Sequence, residues 1–525
     1  MKVPPNRRAM LKLSGPEQAA WKKAERVELD NITSYSTWQL VPRPTGKPVL
    51  SSRFAYALKF DNEGNVSAHK ARFVVRGYEE PDDYQATFAP VARFTSWRVV
   101  MAMSCLLGLN VYQKDVKSAF LNAPCTEEIY IEQPRGYEAK GKESWALRLL
   151  KFLYGLRGAP RAWNRRFAGV LVKFGFKKLE SDEAVFVLWR GDLVTIISTH
   201  VDDLSIATND TVSYERLNKA LSDEFQMKDL GDMKYYLGMH VERTADTLKL
   251  HQKEYVNKVV ERFKKTTAEP VSTPSVPGQI LSDPSSPLSA DESKQMEDKP
   301  FRSATGSCMY AVVGTRPDVA YAVHALTRHF VNPSVRDWKA AMRVVRYLKG
   351  TSERGLVYSR FGNRELEAYC DSDWGSEKYV NRRSVGGYVV LLAGAAVSWR
   401  SALQRTPAQS SCEAEYIALA ETVKEVIWLR MLLSELGFEQ TKATPIYIDN
   451  RAARLLGEGA TGSSTRSKHI DIRYHLIRHH VEEGTIALHH ISTKENLADI
   501  FTKPLAERQH VKFTERMMGC QRRPR

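Results

Sequence analysis

The chain reads as a multi-domain α+β protein, and three features of its 525 residues carry that reading. Apolar and β-branched runs of strand length recur, most plainly at 193–199 and 204–206, on either side of the polar tip His200-Val201-Asp202-Asp203. Helical periodicity appears between such runs, over 95–107 and from a capping box at Ser410-Ser411-Cys412-Glu413 to a glycine stop at Gly437. Composition then divides the chain. Residues 266–300 hold six prolines (270, 274, 277, 284, 287, 300), many serines and few apolar residues, as an extended linker does.

In chain order, residues 1–53 form a basic entry segment with a helical patch over 17–29. From 54 onward strands alternate with the 95–107 helix, up to a strand-like segment that carries Asp115. The hairpin at 193–206 follows, and 213–265 reads as helix-rich. Beyond the linker, 301–365 resumes a helical period, with Tyr310, Val313, Val319 and Val323 spaced as an apolar face. Residues 366–505 read as a strand ending at Asp371, a hairpin turned at Gly394, a long helix, a strand ending at Asp449, and a helix beginning at Glu495-Asn496-Leu497-Ala498-Asp499. In the long helix Tyr416, Ala420, Val423, Ile427 and Met431 would be the buried stripe. The tail, 506–525, carries 6 Lys+Arg against 2 Asp+Glu and reads as a frayed basic end.

A net charge of +16 points to a polyanionic partner, and 11 Lys+Arg against 4 Asp+Glu in the first 60 residues put +7 of it at the amino end. Six cysteines without a CxxC pair read as free thiols in a reducing compartment. The longest apolar stretch, 99–109, is too short to span a bilayer, and no signal-peptide core follows Met1. The expectation is a soluble intracellular protein without a membrane partner.

Asp202 and Asp203 are costly to desolvate side by side unless a cation neutralises them. Joined by Asp115, they make an all-carboxylate set that suits hard cations, Mg²⁺ with Mn²⁺ as the alternative, and not zinc. Such acids serve in-line phosphoryl transfer.

Asp115-Val116-Lys117-Ser118-Ala119-Phe120-Leu121-Asn122, Leu153-Tyr154-Gly155-Leu156-Arg157-Gly158-Ala159-Pro160 and His200-Val201-Asp202-Asp203 resemble successive motifs of copia-type retrotransposon reverse transcriptases. So do Lys70-Ala71-Arg72-Phe73-Val74-Val75-Arg76-Gly77-Tyr78, Thr87-Phe88-Ala89-Pro90 and Phe225-Gln226-Met227-Lys228-Asp229-Leu230-Gly231, and the resemblance runs from about residue 21 to 505. It implies a right-hand polymerase domain (fingers, palm and thumb over 54–265), then a connection region and a ribonuclease H-like α/β domain. It also implies an RNA template, a DNA primer, dNTPs and an RNA–DNA hybrid as partners, in cytoplasmic particles and the nucleus. Asp115, Asp202 and Asp203 would hold the polymerase metals, and Asp371, Glu415, Asp449 and Asp499 those of the ribonuclease H, with Asp373 and Glu413 as the nearest rivals. Lys70 and Arg72 share one strand face and would meet the triphosphate; Phe120 would meet the sugar.

The chain departs from the family's usual pattern at His200, where Tyr is common, at Gly158 for Gln, and at Lys114 for an apolar residue. His469 matches a family motif, but packing is the better reading for it, and the pairs His479-His480 and His489-His490 read as solvent-facing or strand residues. The family's protease, integrase and capsid-like portions are missing, as expected of a processed or truncated piece. A decayed remnant that only binds nucleic acid is the rival class; a host DNA polymerase is disfavoured by the second acid set.

Overall fold

The computed structural model describes residues 3–60, 65–81, 89–376, 382–459 and 471–520. His469 and the first half of Thr87-Phe88-Ala89-Pro90 lie outside the described residues.

At the centre is a six-stranded antiparallel sheet, in the order Met227–Asp232, Asn110–Val116, Asp203–Thr208, Leu193–His200, Val185–Arg190 and Lys177–Lys178. Both of its faces are covered. Val194, Ile196 and Ala207 point into one core, while Ile197, Leu204 and Ile206 point into another. Burial on both sides explains why these strands appear in the sequence as continuous apolar runs and not as an alternation. The second core contains helices Ala159–Phe174 and Thr211–Glu224 and reaches the two-stranded ribbon Ser52–Phe60/Val66–Val75.

Helix Phe94–Leu107 fills the first core, and every residue from Ser96 to Leu106 is buried. Inside it Arg98 donates from Nε to the Val397 carbonyl (2.8 Å) and from Nη1 to those of Val313 (2.7 Å) and Gly314 (3.1 Å). Its guanidinium also lies 3.9 Å from the Trp399 ring. One polymerase-side side chain thus ties helix Phe301–Gly314 and strand Ala395–Leu403 to the palm. The last domain docks a second time through Trp189 Nε1 to the Leu436 carbonyl (3.1 Å) and Trp428 Nε1 to that of Ser181 (3.0 Å).

That last domain is a five-stranded sheet in the order Ala395–Leu403, Val385–Leu392, Glu367–Asp373, Thr444–Ile448, Ile486–His490, with the final two strands parallel to the third. Helix Ser411–Glu435 packs against it. The arrangement is ribonuclease H-like, behind a right-hand polymerase domain.

Several elements differ from expectation. The 213–265 segment is not mainly helical: Tyr235–Tyr236, Met239–Arg243 and Thr247–His251 form strands, and the last pairs with Gly355–Ser359 from the connection region. Met239 and Val241 on one strand, and Leu248 and Leu250 on the next, are buried at a period of two, which a helical reading overlooks. Val313 is exposed because its helix buries Ala304, Cys308 and Ala311 instead. Met431 is exposed because the far end of the long helix turns Leu429, Leu432 and Leu433 inward. Asp499 stands in the 3-10 turn Leu497–Phe501, not in an α-helix. The basic tail is no frayed end up to residue 517: helix Glu507–Met517 buries Phe513 and Met517. The proline-rich segment includes a short helix, Ala290–Met296, and is held along helix Val335–Gly350. Arg346 Nε donates to the Glu269 carbonyl (2.6 Å) and Lys349 Nζ to that of Ala268 (2.8 Å). Among the described residues no helix is long and apolar enough to cross a membrane.

Arg98→Leu should unfold at a lower guanidinium midpoint, because two buried carbonyls and a half-buried one lose their donor. A loss on the order of 3 kcal/mol is expected from equilibrium unfolding, and an unchanged midpoint would show that the docking does not depend on Arg98.

Candidate active sites

In the central sheet Asp115 lies directly opposite Asp203, and the pair His200 and Asp203 closes the hairpin. Val201 has φ +61°, a left-handed conformation that strains a β-branched residue. Two bonds hold the strained turn: Trp163 Nε1 donates to the Val201 carbonyl (2.7 Å), and the Val116 amide to that of Asp202 (2.9 Å). Ser118, just past Asp115, is also left-handed at φ +53°.

Burial first, then Asp202 and Asp115, pushes the Asp203 carboxyl up to about 6. Asp115 is raised as well, by burial and then by Asp202, with Lys228, Lys70 and Lys59 opposing. The three acids are therefore close enough to repel. Even so, their oxygens are not among the sets of three that converge within 4.8 Å in the described residues.

Lys70 and Arg72 both stand on the less buried face of strand Val66–Val75, while Ala71, Phe73 and Val75 are buried. Burial lowers the Lys70 pKa, and Asp202 and Glu28 oppose that shift, so Lys70 faces the palm acids. Phe120 sits in the 3-10 turn Ala119–Asn122, edge-on to Tyr154 with centroids 4.9 Å apart. Arg72 lies 4.5 Å from the same Tyr154 ring.

Sequence reasoning left Tyr154 without a role. The helical patch read over 17–29 is there as helix Gly15–Ser34, but two of its residues carry no role in that reading: Glu28 accepts from the Phe73 amide (3.2 Å), and Asn31 donates to Ser118 Oγ (2.9 Å). Nothing local in the sequence marks these two residues as neighbours of the site.

The departures have local explanations. Lys114 is buried and pairs with Asp229 across the neighbouring strand (2.5 Å), so its charge is matched. Gly158 precedes helix Ala159–Phe174 at φ −76°, a conformation open to any residue. His200 is half-buried, and burial lowers its pKa.

In the last domain Asp371 and Glu415 are buried, Asp449 is half-buried, and each offers an oxygen within 4.8 Å of the others. Strand Glu367–Asp373, helix Ser411–Glu435 and the end of strand Thr444–Ile448 supply them. The Ser372 amide donates to Glu415 (3.2 Å), Thr502 to Asp371, and Thr493 to Asp449 (2.7 Å). Glu415 still keeps Oε2 buried and without a hydrogen-bond partner.

Asp499 is also buried and lies 3.0 Å from Lys503, which is 3.9 Å from Asp371. Burial, then Asp371, raises the Asp499 carboxyl to about 8. Glu415 stands well above its usual value through burial, then Asp371 and Asp449. One lysine does not offset four clustered acids, and an all-oxygen set with an orphaned carboxylate oxygen fits a hard divalent cation.

The rivals stand apart from this set. Glu413 accepts from the Gln409 amide (2.7 Å) beside the Ser410 cap, so the full capping box is not formed. Asp373 lies at the far end of its strand, outside the converging oxygens. His479, His480 and Glu483 also offer atoms within 4.8 Å of one another, at the exposed end of helix Asp471–Glu482. His489 and His490 lie on a strand.

Residues 35–277 match the family described as reverse transcriptase (RNA-dependent DNA polymerase). The chain is 40% identical over 498 residues to the retrovirus-related Pol polyprotein from transposon TNT 1-94 of Nicotiana tabacum, covering 94% of this chain and 37% of that one. It is 32% identical over 314 residues to the putative transposon Ty5-1 protein YCL074W of Saccharomyces cerevisiae, covering 59% of this chain and all of that one. The chain thus spans little more than a third of the tobacco polyprotein it matches. A solved foamy viral protease-reverse transcriptase in complex with ds DNA aligns with a TM-score of 0.49 at 11% identity, over 94% of this chain and 72% of that one, too distant to bear on function.

The raised Glu415 carboxyl carries a sign. The folded state binds that proton more tightly than the unfolded chain, so folding loses stability as pH rises above the usual value of 4.5. With divalent ions chelated, Glu415→Gln should therefore melt at a higher temperature than the wild type at about pH 8, and the gap should narrow as pH falls. A variant that melts lower at every pH would mean that the carboxylate contributes more through its Ser372 contact than it costs in repulsion.

Proposed function

The chain belongs to the copia-type retrotransposon Pol polyprotein family, and from that premise we propose that it is an RNA-directed DNA polymerase joined to a ribonuclease H that degrades the RNA strand of RNA–DNA hybrids. The observation that carries this reading is the presence of two separate sets of carboxylates, one in the central sheet and one in the last domain, each holding acids raised by burial and then by mutual repulsion. Paired divalent cations, Mg²⁺ or Mn²⁺, would supply charge neutralisation and activation of the attacking oxygen at each site.

In the polymerase site Asp115 and Asp202 would be the metal-holding carboxylates, with Asp203 adding negative charge from the facing strand. Lys70 and Arg72 would grip the triphosphate, and Phe120 would stand under the sugar where a 2′-hydroxyl would collide. In the ribonuclease H site Asp371, Glu415, Asp449 and Asp499 would share the load, with Lys503 holding Asp499 and Asp371 in place. The net charge of +16 supports a template, a primer and a hybrid held mainly through phosphates, with affinity falling as salt rises. Cytoplasmic particles and the nucleus are the compartments this reading implies.

The test is a crossover. Asp202→Asn should abolish primer extension on an RNA template and leave hybrid cleavage intact; Asp449→Asn should do the reverse. Loss of both activities in either variant would defeat the model of two independent sites. Wild-type protein that grips hybrid yet does nothing with either metal would be a decayed remnant.

Phe120→Val should also admit ribonucleotides, read as the ratio of rNTP to dNTP incorporation at a single template position. An unchanged ratio would make Phe120 a plain packing residue.

A further inference from the structure

We propose that Tyr154 is the positioning residue of the nucleotide site, its ring joining the side chain that meets the sugar, Phe120, to the one that meets the triphosphate, Arg72. The inference rests on the polymerase reading above and adds a residue to it.

The backbone fixes where the ring stands. The Val75 amide donates to the Tyr154 carbonyl (2.8 Å), which ties this segment to the strand that carries Lys70 and Arg72. The next residue, Gly155, has φ +97°, and a Cβ there would lie 2.0 Å from the Val75 carbonyl oxygen. A Cβ on Gly77 would in turn lie 2.1 Å from the Gly155 oxygen. Only glycines permit this approach, so the segment bearing Tyr154 cannot shift relative to strand Val66–Val75.

The ring has a different neighbour on each side. Phe120 meets it edge-on at 4.9 Å and 66°, and the Arg72 guanidinium lies 4.5 Å from its centroid. Glu28 stands near enough to feel the Arg72 charge, and the Tyr154 ring is the face against which the guanidinium lies. Phe120 follows a left-handed Ser118 in a short turn, and Tyr154 is the ring behind it. Burial raises the Tyr154 hydroxyl to about 12, with Arg72 opposing and Asp202, Glu28 and Asp115 adding to the rise. The phenol therefore stays neutral near the palm acids, and its contribution is the ring.

Removing the ring should loosen the triphosphate grip and the sugar check together while sparing the metal-holding acids. The experiment is steady-state incorporation of one dNTP or one rNTP on a primed RNA template by wild type, Y154F and Y154L, with the melting temperature of each preparation recorded. Y154F keeps the ring and should match the wild type. Y154L should raise KM for the dNTP by about three- to thirtyfold, the range of a cation–π contact, with kcat nearly unchanged. The same variant should raise the rNTP-to-dNTP ratio, and its effect on KM should not add to that of R72A. If Y154L melts early, Y154H, which keeps a flat ring, takes its place and should fall between the two.

Unchanged KM and selectivity in Y154L would overturn the proposal. So would a Y154F as impaired as Y154L, since the hydroxyl would then be the active part, or a loss confined to kcat. Absence of extension by the wild type would sink the polymerase reading, and the wild-type lane alone distinguishes that outcome from a failure of Tyr154.

Discussion

Helix Phe94–Leu107 is buried on every side, and a guanidinium at its centre is satisfied by the Thr95 hydroxyl of its own helix (3.2 Å) and by three carbonyls from elements more than 200 residues away in sequence. Burial lowers the Arg98 pKa to about 10, which leaves the group charged at neutral pH with no carboxylate bonded to it. A buried cation of this kind is tolerable only where its donors are filled and an aromatic face covers it. Trp399 supplies that face and itself donates to the Val312 carbonyl (3.1 Å). The palm, the connection and the last domain therefore share one core, and the distance between the two acid sets is set by packing and not by the proline-rich segment.

The two acid sets keep their charge in different ways. In the palm, the carboxylates sit around a strained two-residue turn, and the strain at Val201 is held by Trp163 and by the adjacent strand. Lys70, Lys59 and Lys228 stand near enough to temper the Asp115 charge. In the last domain the acids are more deeply buried and converge more tightly, and one lysine lies among them. Both arrangements cost stability in the absence of a cation, which is the usual signature of groups placed for binding and not for packing.

Much of the candidate site was legible in the sequence because the chemistry demands particular residues at strand ends. Asp115 and the Asp202-Asp203 tip read correctly as neighbours, since a hairpin and one adjacent strand suffice to bring them together. Asp371, Glu415 and Asp449 were assigned by motif position, and the structure does bring them together. What could not be read were partners contributed by remote elements. Glu28 and Asn31 come from a helix whose pattern says only that it is amphipathic, and Tyr154 becomes a neighbour of Phe120 and Arg72 only when Gly155 presses onto Val75. Val313 and Met431 were misplaced for the same reason: periodicity names a helix but not which part of its face a neighbour will cover.

The sequence by itself determined the α+β class, the order of strands and helices around both acid sets, and the carboxylates themselves, because period, turn chemistry and the need for charged ligands act over a few residues. Only the tertiary structure decided that strand Thr247–His251 pairs with Gly355–Ser359, that the tail closes as helix Glu507–Met517, and that Arg98 joins the two halves. Those contacts depend on which buried surfaces meet, and burial is a property of the folded whole that no local stretch of residues encodes.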